Sequence, residues 1–325
     1  TVSAKAMSKK LQTLLFLCLV TTVFIVSALF ANNFEPFIIF QQSLLPPCHN
    51  ITKNLVGSVL VLSNELRNIS HSVLDKITPG GYYEPGFCVH DTRTAIIIPY
   101  RDRMLHLKHF VNHYHPLLQR QNIAYRIFVI SQMDEQQFNR GMLLNIGFVE
   151  AKKRGHWDCY VFHDVDHLLE NDNLIYKCND QPSLFSTAIQ KFNFGTPYNG
   201  FFGGVNALTE KQMMKINGYP NAYWGWGGED DDVFRRITSS GYSVFRLPPE
   251  IGRYKTDNHP QAKQSPTAST LLNNWSSRWK NDGINSLKYT IISEYEYDLY
   301  TQIDLELSVQ IYGMSGQFHG NRRGE

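Results

Sequence analysis

The sequence predicts an α/β domain, with a mostly parallel sheet flanked by helices, preceded by one transmembrane helix. Two observations lead to this fold class. Apolar strand-like runs alternate with segments of helical periodicity from about residue 94 onward, and one long uncharged segment lies near the N-terminus. Alternating strands and helices typically form a parallel sheet with helices packed on its faces.

The uncharged segment is long enough to cross a bilayer. It runs for 21 residues, from Leu11 to Ala31, and about 20 helical residues span a hydrocarbon core of roughly 30 Å. Lys5, Lys9 and Lys10 precede it, so we expect the N-terminus to stay cytoplasmic and the rest of the chain to face a lumen. A cleaved signal peptide is the alternative, although its apolar core would be only about 7–15 residues long.

Composition divides the chain into five segments. Residues 1–10 are expected to form a cytoplasmic tail, residues 11–31 a signal anchor, and the polar residues 32–78 a lumenal stem. A Gly- and Pro-rich run then begins the catalytic domain, residues 79–313, and residues 314–325 form a tail with no assigned role. The net charge is +2 and no dense basic run is present, so nucleic acid is a poor candidate for a partner.

The cysteines agree with a lumenal domain. Cys18 lies in the uncharged segment, and the four that follow form an even number in a compartment where disulfides persist. Of three possible pairings, Cys159–Cys178 with Cys48–Cys88 is favoured because Cys159 and Cys178 are close in sequence and flank an acidic motif. A zinc site is the alternative, but the chain has no C-x-x-C. Three N-x-S/T glycosylation sequons also fall on the lumenal side, at Asn50, Asn68 and Asn274.

Three strands and two helices are predicted in the order βαβαβ. The strands are the apolar runs Thr94–Pro99, Tyr125–Ile130 and Cys159–Phe162. The helices between them are marked by apolar residues at mostly helical spacing, from Leu105 to Leu118 and from Met142 to Val149. Because ligands bind at the carboxyl ends of strands in such sheets, the residues after each strand are the candidates for chemistry.

Two carboxylates directly follow the third strand. Asp164 and Asp166 are separated by one residue, so an extended backbone directs both to the same side. Carboxylate oxygens suit Mn²⁺ or Mg²⁺, and such an ion can bridge a diphosphate and neutralise the charge that develops on a nucleotide leaving group. An Asp-rich turn that caps the next segment is the alternative interpretation.

The most distinctive segment is Trp224-Gly-Trp-Gly-Gly-Glu-Asp-Asp-Asp232, followed by the helical pattern of Val233, Phe234 and Ile237. Acidic residues at a helix N-terminus are favoured by the helix dipole, so a purely structural role would explain the four acidic residues. It does not explain two tryptophans interleaved with three glycines. Aromatic faces can stack on sugar rings, and glycines let backbone approach a ligand closely. Adjacent carboxylates also raise one another's pKa, which prepares one of them to act as a base.

Weaker candidates lie near other strand ends. His259 follows a strand-like run, but a lone histidine is more often structural. Arg101 and Arg103 follow the first strand, and arginine binds phosphate but is also common on surfaces. Phe138–Arg140 and Phe201–Gly204 are further short segments of this kind.

Together these segments resemble the β-1,4-galactosyltransferase family. They occur in the family's order through about residues 80–312, and the Trp/Gly/acid run is the most specific of them. The matching stretches are Ile96–Arg103, Phe138–Arg140, Phe162–Asp166, Phe202–Val205, Gly218–Pro220, Trp224–Asp232 and Asp282–Asn285. The resemblance implies a GT-A fold, a single-pass type II protein of the Golgi membrane, a Mn²⁺ cofactor, a UDP-sugar donor and a glycan acceptor on protein or lipid.

The resemblance also implies a role for each matching residue. Asp230 would be the base that takes the proton from the acceptor's 4-hydroxyl, and Asp166 and His259 would be the metal ligands. The donor-binding positions would be Pro99, Arg101, Arg103, Phe138, Arg140, Asp164, Val165 and Glu229. The acceptor and sugar-pocket positions would be Tyr198, Phe201, Trp226, Gly228 and Asp231. The favoured disulfide pairs also agree with the family's pattern.

Two residues depart from that pattern. Thr256 stands where the best-known members carry a methionine, three residues before the metal-binding histidine. A hydroxyl is a harder ligand than a thioether, so Mg²⁺ becomes possible beside Mn²⁺. Phe201 stands where the galactose-specific members have tyrosine, and it keeps the bulk that excludes an N-acetyl group.

The expected function is therefore inverting transfer of galactose from UDP-galactose to the 4-hydroxyl of a terminal β-GlcNAc or Glc. Transfer of GalNAc from UDP-GalNAc on the same scaffold is the alternative. A non-catalytic carbohydrate-binding protein would not need Asp164, Asp166, Asp230 and His259 intact. A nucleotide hydrolase would not need the Trp/Gly platform, and nothing in the sequence indicates a modifier protein.

Overall fold

The computed structural model describes residues 45–48, 54–61, 70–257 and 264–308. The expected membrane anchor, the sequons at Asn50 and Asn68, the predicted ligand His259 and the C-terminal tail from residue 314 lie outside these ranges. Among the described residues, no helix has both the length and the apolar character needed to cross a membrane. The third sequon, at Asn274, is exposed.

Residues 45–47 and 86–89 group as a small unit, in which the Val89 amide donates to the Pro46 carbonyl at 2.9 Å. The other described residues form the main domain. Cys159 and Cys178 form the disulfide expected from their spacing, with Cα atoms 5.1 Å apart. Cys48 and Cys88 are also disulfide-bonded.

The main domain contains a large sheet, a small sheet and seven described α-helices. The strands are β1 (Tyr82–Tyr83), β2 (Arg93–Tyr100), β3 (Ala124–Gln132), β4 (Cys159–His163), β5 (His167–Leu169), β6 (Ser183–Leu184), β7 (Ala188–Ile189), β8 (Val205–Leu208), β9 (Phe245–Arg246), β10 (Arg253–Thr256), β11 (Tyr289–Glu296) and β12 (Thr301–Leu307). The helices are α1 (His71–Leu74), α2 (Met104–Arg120), α3 (Arg140–Lys153), α4 (Glu210–Lys215), α5 (Glu229–Ser239), α6 (Ala268–Asn273) and α7 (Trp275–Arg278). Single turns of 3₁₀ helix occupy Gln190–Phe192, Trp279–Asn281 and Ile284–Ser286.

The large sheet has the order β11-β12-β3-β2-β4-β8-β6-β9, with β1 paired to β3. Its centre is parallel, because β2 runs alongside both β3 and β4, and β3 runs alongside β12. The predicted βαβαβ order is therefore confirmed. A small sheet of order β5-β10-β7 lies beside it.

The expectation of a mostly parallel sheet is confirmed only in part, because the large sheet is mixed. Strand β8 is antiparallel to β4 and β6, β11 is antiparallel to β12, and β1 is antiparallel to β3. Antiparallel pairs need only short connections, such as the four residues 297–300 between β11 and β12. Several of these strands have only two to four residues, too few to produce a readable pattern in the sequence.

Both faces of the central strands β2, β3 and β4 are buried, and alternate residues of β2 face opposite sides. Ile96 and Ile98 belong to one apolar cluster with Phe110 of α2. Ala95 and Ile97 belong to a second cluster, which includes the apolar residues of α3. Successive strand side chains point to opposite faces, and a strand covered on both faces appears in the sequence as a continuous apolar run.

Part of the segment expected to be stem lies on the main domain. The Val56 and Gly57 amides donate to the carboxylate of Asp172 at 3.1 and 2.7 Å, and the Nε of Arg120 contacts the same carboxylate at 2.8 Å. Val61 is only 5% exposed. Residues 54–61 therefore belong to the folded domain, and their docking site is formed by residues that are remote in sequence.

Helix α5, which begins with the acidic run, is anchored by four charged side chains. The Nε of Arg236 contacts Asp232 at 2.7 Å, and its Nη1 donates to the backbone carbonyl of Asp282 at 2.7 Å. Arg278 contacts the carboxylate of Asp232 at 3.0 Å and also contacts the carboxylate of Asp282. Arg236 and both aspartates are fully buried. Each charge has an opposite partner, so loss of one leaves the others buried and uncompensated.

We expect Arg236→Met to lower the free energy of unfolding by about 3–5 kcal/mol, because it leaves two buried carboxylates with one arginine between them. Urea denaturation of the protein followed by circular dichroism would measure the change. The matched control is Arg235→Met, on the same helix, since Arg235 is half-buried and donates to the Leu272 carbonyl. That control should cost about 0.5–1.5 kcal/mol, and equal losses for the two variants would contradict the assignment.

Candidate functional site

Three distant chain segments are joined at the carboxyl edge of the large sheet. Arg140 is the first residue of α3, where Asn139 caps the helix by accepting from the Met142 amide at 2.9 Å. The Nε of Arg140 contacts Asp164, directly after β4, at 2.6 Å. Its Nη1 lies 3.5 Å from Glu229, the first residue of α5. Of these three residues, Asp164 directly follows a strand, whereas Arg140 and Glu229 each begin a helix.

This arginine sits among carboxylates in a partly buried position. Burial opposes its charge, but the carboxylates of Asp164 and Glu229 outweigh this effect and raise the pKa of Arg140 above its ordinary value. Burial in turn raises the pKa of Glu229. Arg140 therefore stays charged and compensates two acidic side chains from distant parts of the sequence.

Asp164, Asp166 and His167 form a group whose potential ligand atoms all lie within 4.8 Å of one another. The Nδ1 of His167 is 2.9 Å from Oδ1 of Asp166. Two carboxylates separated by one residue are a donor set that a hard divalent cation accepts, so these residues fit the metal implied by the sequence.

The strand that leads to His259 passes beside this group. Thr256, the last residue of β10, is the register partner of His167, and the Asp257 amide donates to the Asp166 carbonyl at 2.9 Å. Asp257 is fixed in turn by His109, whose Nδ1 lies 2.7 Å from its carboxylate. The chain then enters residues 258–263, which lie outside the described part of the structure.

The glycines of the Trp/Gly/acid run are required by the backbone itself. Gly225, Gly227 and Gly228 have φ angles of 86, 104 and 94°, in the left-handed region where side chains are strained. A Cβ at Gly228 would also come within 2.8 Å of the Tyr223 ring. The turn leaves Trp226 48% exposed, so its ring is available to a ligand.

Asp230 lies in the first turn of α5, between Glu229 and Asp231. Burial, followed by these two neighbouring carboxylates, raises the pKa of Asp230 to about 8. Its Oδ2 would be 2.7 Å from a Cβ on Gly203, so glycine at that position allows the carboxylate to pack against the backbone. Asp230 therefore binds a proton far more readily than an ordinary aspartate.

Aromatic side chains border the acidic group. Phe201 is 8% exposed, and its ring is 5.9 Å from Tyr198 and 6.0 Å from Phe192, edge-on in both cases. Tyr198 is 46% exposed. The guanidinium of Arg246 donates to the Phe201 carbonyl at 2.9 Å and to the Asn199 carbonyl. Arg246 therefore fixes the loop that carries Tyr198 and Phe201, the two aromatic residues that the resemblance assigned to a sugar pocket.

The predicted nucleotide-binding residues occupy neighbouring strand ends. The guanidinium of Arg101, after β2, lies 5.8 Å from the Phe138 ring and donates to the Gln136 carbonyl at 2.7 Å. Pro99 is within β2, Arg103 precedes α2, and Val165 is buried between the two aspartates of the motif. Arg101 and Phe138, which the resemblance assigned to the donor site, thus lie close together.

Three residues of the site were not assigned a role from the sequence. His167 ends the run His163–His167 that contains both aspartates, and neither Arg246 nor Asp257 belongs to a group of candidate residues in the sequence. Their contacts join residues that are between 1 and 148 positions apart. The alternation of charge and histidine in His163–His167 was the only local signal.

Comparisons with known proteins place the chain in one family. Residues 48–179 match the N-terminal region of glycosyl transferase group 7, and residues 183–260 match the N-terminal domain of galactosyltransferase. β-1,4-Galactosyltransferase 2 of Cricetulus griseus is 39% identical over 270 residues, which are 81% of this chain and 73% of that protein. β-1,4-Galactosyltransferase 3 of Homo sapiens is 41% identical over 275 residues, 83% of this chain and 70% of that protein.

A solved structure agrees with these matches. The Drosophila β-1,4-galactosyltransferase 7 mutant, in complex with manganese, UDP-Gal and xylobiose, superposes with a TM-score of 0.59 at 29% identity. The match covers 67% of this chain and 95% of that one. At this identity and coverage, the mixed sheet and its helices have the same GT-A-like arrangement in both proteins.

We expect Arg246→Met to loosen the loop around Phe201, because charge-assisted hydrogen bonds to carbonyls stabilise by roughly 1.5–3 kcal/mol each. Hydrogen exchange read by mass spectrometry should show protection of the Phe201 amide reduced at least about tenfold. Arg93→Met is the control, since Arg93 is half-exposed and pairs with Glu84. Unchanged exchange at Phe201 in the Arg246 variant would contradict the assigned role.

Proposed function

The chain belongs to the group 7 glycosyltransferases, the family of the β-1,4-galactosyltransferases, and from this membership we propose that it transfers galactose with inversion from UDP-galactose to the 4-hydroxyl of a terminal β-GlcNAc or Glc. The observation that carries the proposal is the raised pKa of Asp230. This carboxylate belongs to the same site as Asp164 and Asp166, which fit a divalent cation. Arg140 joins the two parts, through Asp164 and Glu229.

The proposed mechanism is a single displacement. Asp230 in its ionised form accepts the proton of the acceptor hydroxyl while that oxygen attacks the anomeric carbon of the donor sugar. Because attack comes from the face opposite to UDP, an α-linked donor gives a β-glycoside, as in inverting glycosidases with an alcohol in place of water. Burial of Asp230 supports this role, since a base works best when its pKa is near the working pH.

The other acidic residues hold the reactants. Asp166 and His259 would be the ligands of a divalent cation, for which we propose Mn²⁺. When bound, this ion supplies positive charge to the departing UDP. The manganese and UDP-Gal of the Drosophila relative support this assignment. Glu229 would orient the donor sugar, and Asp231 the acceptor sugar.

The aromatic residues select the sugars. Phe201 is buried between Phe192 and Tyr198, with its backbone held by Arg246, so its ring cannot easily move aside for an N-acetyl group. This favours galactose over GalNAc as the transferred sugar. The exposed faces of Trp226 and Tyr198 are available to stack on the acceptor.

We also propose that the protein acts in the Golgi lumen as a single-pass type II membrane protein. The uncharged residues 11–31 with lysines before them support this topology. The disulfides support an oxidising compartment. The exposed sequon at Asn274 would be reachable by glycosylation there.

Replacement of Asp230 by Asn should lower kcat by about 10²–10⁴-fold, because it removes the base. Binding of UDP with Mn²⁺, measured by calorimetry, should remain. An Asp230→Asn variant with unimpaired kcat would exclude this residue as the base.

The activity of the unsubstituted enzyme should depend on pH through Asp230. A base must be deprotonated to work, so kcat/KM should fall as the pH decreases through the raised pKa of about 8. Initial rates between about pH 6 and 9 would measure this, with a slope near one on the acid side. A profile that stays flat over this range would contradict the raised pKa of the free enzyme.

Donor choice can be tested by competition. Equal UDP-Gal and UDP-GalNAc would be given with Mn²⁺ and a GlcNAc-terminated acceptor, and the products read by mass. We expect hexose addition to predominate, and Phe201→Leu to raise the GalNAc-to-Gal ratio at least about tenfold, because it opens space for the N-acetyl group. Phe245→Leu is the control, since Phe245 is 44% exposed.

Predominant HexNAc addition by the unsubstituted enzyme would exclude galactose as the donor sugar and leave the base and metal assignments intact. Slow hydrolysis of UDP-sugar without transfer would exclude this acceptor instead. Glucosylceramide would then be tested as the acceptor.

A further inference from the structure

We propose that His167 is a positioning residue for Asp166, and that it sets the affinity of the metal site. The inference rests on the proposed function, because it takes Asp166 as a metal ligand. The two residues are adjacent in sequence, and their side chains are also in contact. The proposed mechanism gives the imidazole of His167 no role.

The hydrogen bond between them has a fixed direction. The Nδ1 of His167 lies 2.9 Å from Oδ1 of Asp166. An ionised carboxylate only accepts hydrogen bonds, so Nδ1 carries the proton and the imidazole donates. This bond restricts rotation of the carboxylate about its Cβ–Cγ bond. A ligand held in this way loses less freedom when a cation binds, and outer-shell partners of this kind raise metal affinity.

The imidazole ring is itself immobilised. Its side chain is 2% exposed, and the Tyr254 ring lies 6.2 Å away. A Cβ on Gly204 would come within 3.1 Å of Nε2, and Gly204 has a φ of 73°, so a turn that needs glycine closes over the ring edge. Because the ring is confined on this side, it can hold Asp166 in one orientation.

The second ring nitrogen is not satisfied in the described structure. Nε2 of His167 is buried and has no hydrogen-bond partner there. An unpaired buried polar atom is costly, and an apolar side chain of similar size would avoid that cost. The presence of histidine is explained if the Nδ1 donor to Asp166 is what the position requires.

The backbone places this pair where two chain segments meet. The Tyr114 hydroxyl donates to the His167 carbonyl at 3.0 Å. His167 is the register partner of Thr256, and the Asp257 amide donates to the Asp166 carbonyl. The pair therefore lies between the strand end that carries Asp166 and the strand that leads to the second predicted ligand.

The test uses three variants of the full protein. His167→Leu removes the donor, His167→Asn keeps an amide donor near the position of Nδ1, and His167→Gln places its amide one bond further out, near Nε2. The dissociation constant of Mn²⁺ with saturating UDP would be measured from the electron paramagnetic resonance signal of free Mn²⁺. We expect it to rise about 10–100-fold in the Leu and Gln variants and to stay within about threefold in the Asn variant.

His113→Leu is the matched control, because His113 is also a largely buried histidine that contacts strand β5, through the Leu169 carbonyl at 2.8 Å. It should leave the Mn²⁺ constant within about twofold. Thermal melting of the metal-free proteins reports whether the Leu variants fold. If His167→Leu does not fold, the difference in Mn²⁺ affinity between the Asn and Gln variants tests the positioning role.

Four results would overturn the inference. Unchanged Mn²⁺ affinity in His167→Leu would remove the positioning role, and equal loss in His113→Leu would make the effect a general one of packing. Retained affinity in the Gln variant with loss in the Asn variant would assign the role to Nε2 instead. Failure of the unsubstituted protein to bind Mn²⁺ with UDP would overturn the proposed function as well. The other three results would overturn only the role of His167.

Discussion

The site depends on one guanidinium placed between two acidic chain segments. Asp164 follows a central strand and Glu229 begins a helix, and Arg140 contacts both. Like charges about 4 Å apart at an effective dielectric of 20 repel by about 4 kcal/mol, so two such segments would separate without a cation between them. Arg140 thereby fixes the distance between the group that fits a metal and the carboxylates of helix α5.

That arrangement puts Asp230 under opposite demands from the fold and from chemistry. Burial beside two carboxylates makes its charged form unfavourable, which costs stability at neutral pH, but the raised pKa is the one that the proposed base requires. The helix that carries it is held by Arg236 of its last turn, which pairs with Asp232 and Asp282. A firmly anchored helix can tolerate a destabilised carboxylate in its first turn.

The backbone around the acidic residues is also held in a fixed conformation. The three left-handed glycines between Tyr223 and helix α5 turn the chain sharply, and the loop of Phe201 is held by Arg246. The sequence interpretation of these glycines as room for a ligand was incomplete, because the turn itself requires them. Aromatic side chains on such fixed backbone can exclude a larger sugar, whereas a mobile loop would yield to it.

The sequence by itself determined the central strands, the helices between them and the acidic residues at the strand ends, because period, burial and spacing are local properties. It did not determine the short strands β6 and β8, since two to four residues carry no readable period. Only the tertiary structure decided that Arg140 lies between Asp164 and Glu229, that Asp172 receives residues 56 and 57, and that His167 meets Asp166 in a closed space. Such contacts depend on where distant segments pack, and the pKa of Asp230 follows from that packing as much as from its acidic neighbours.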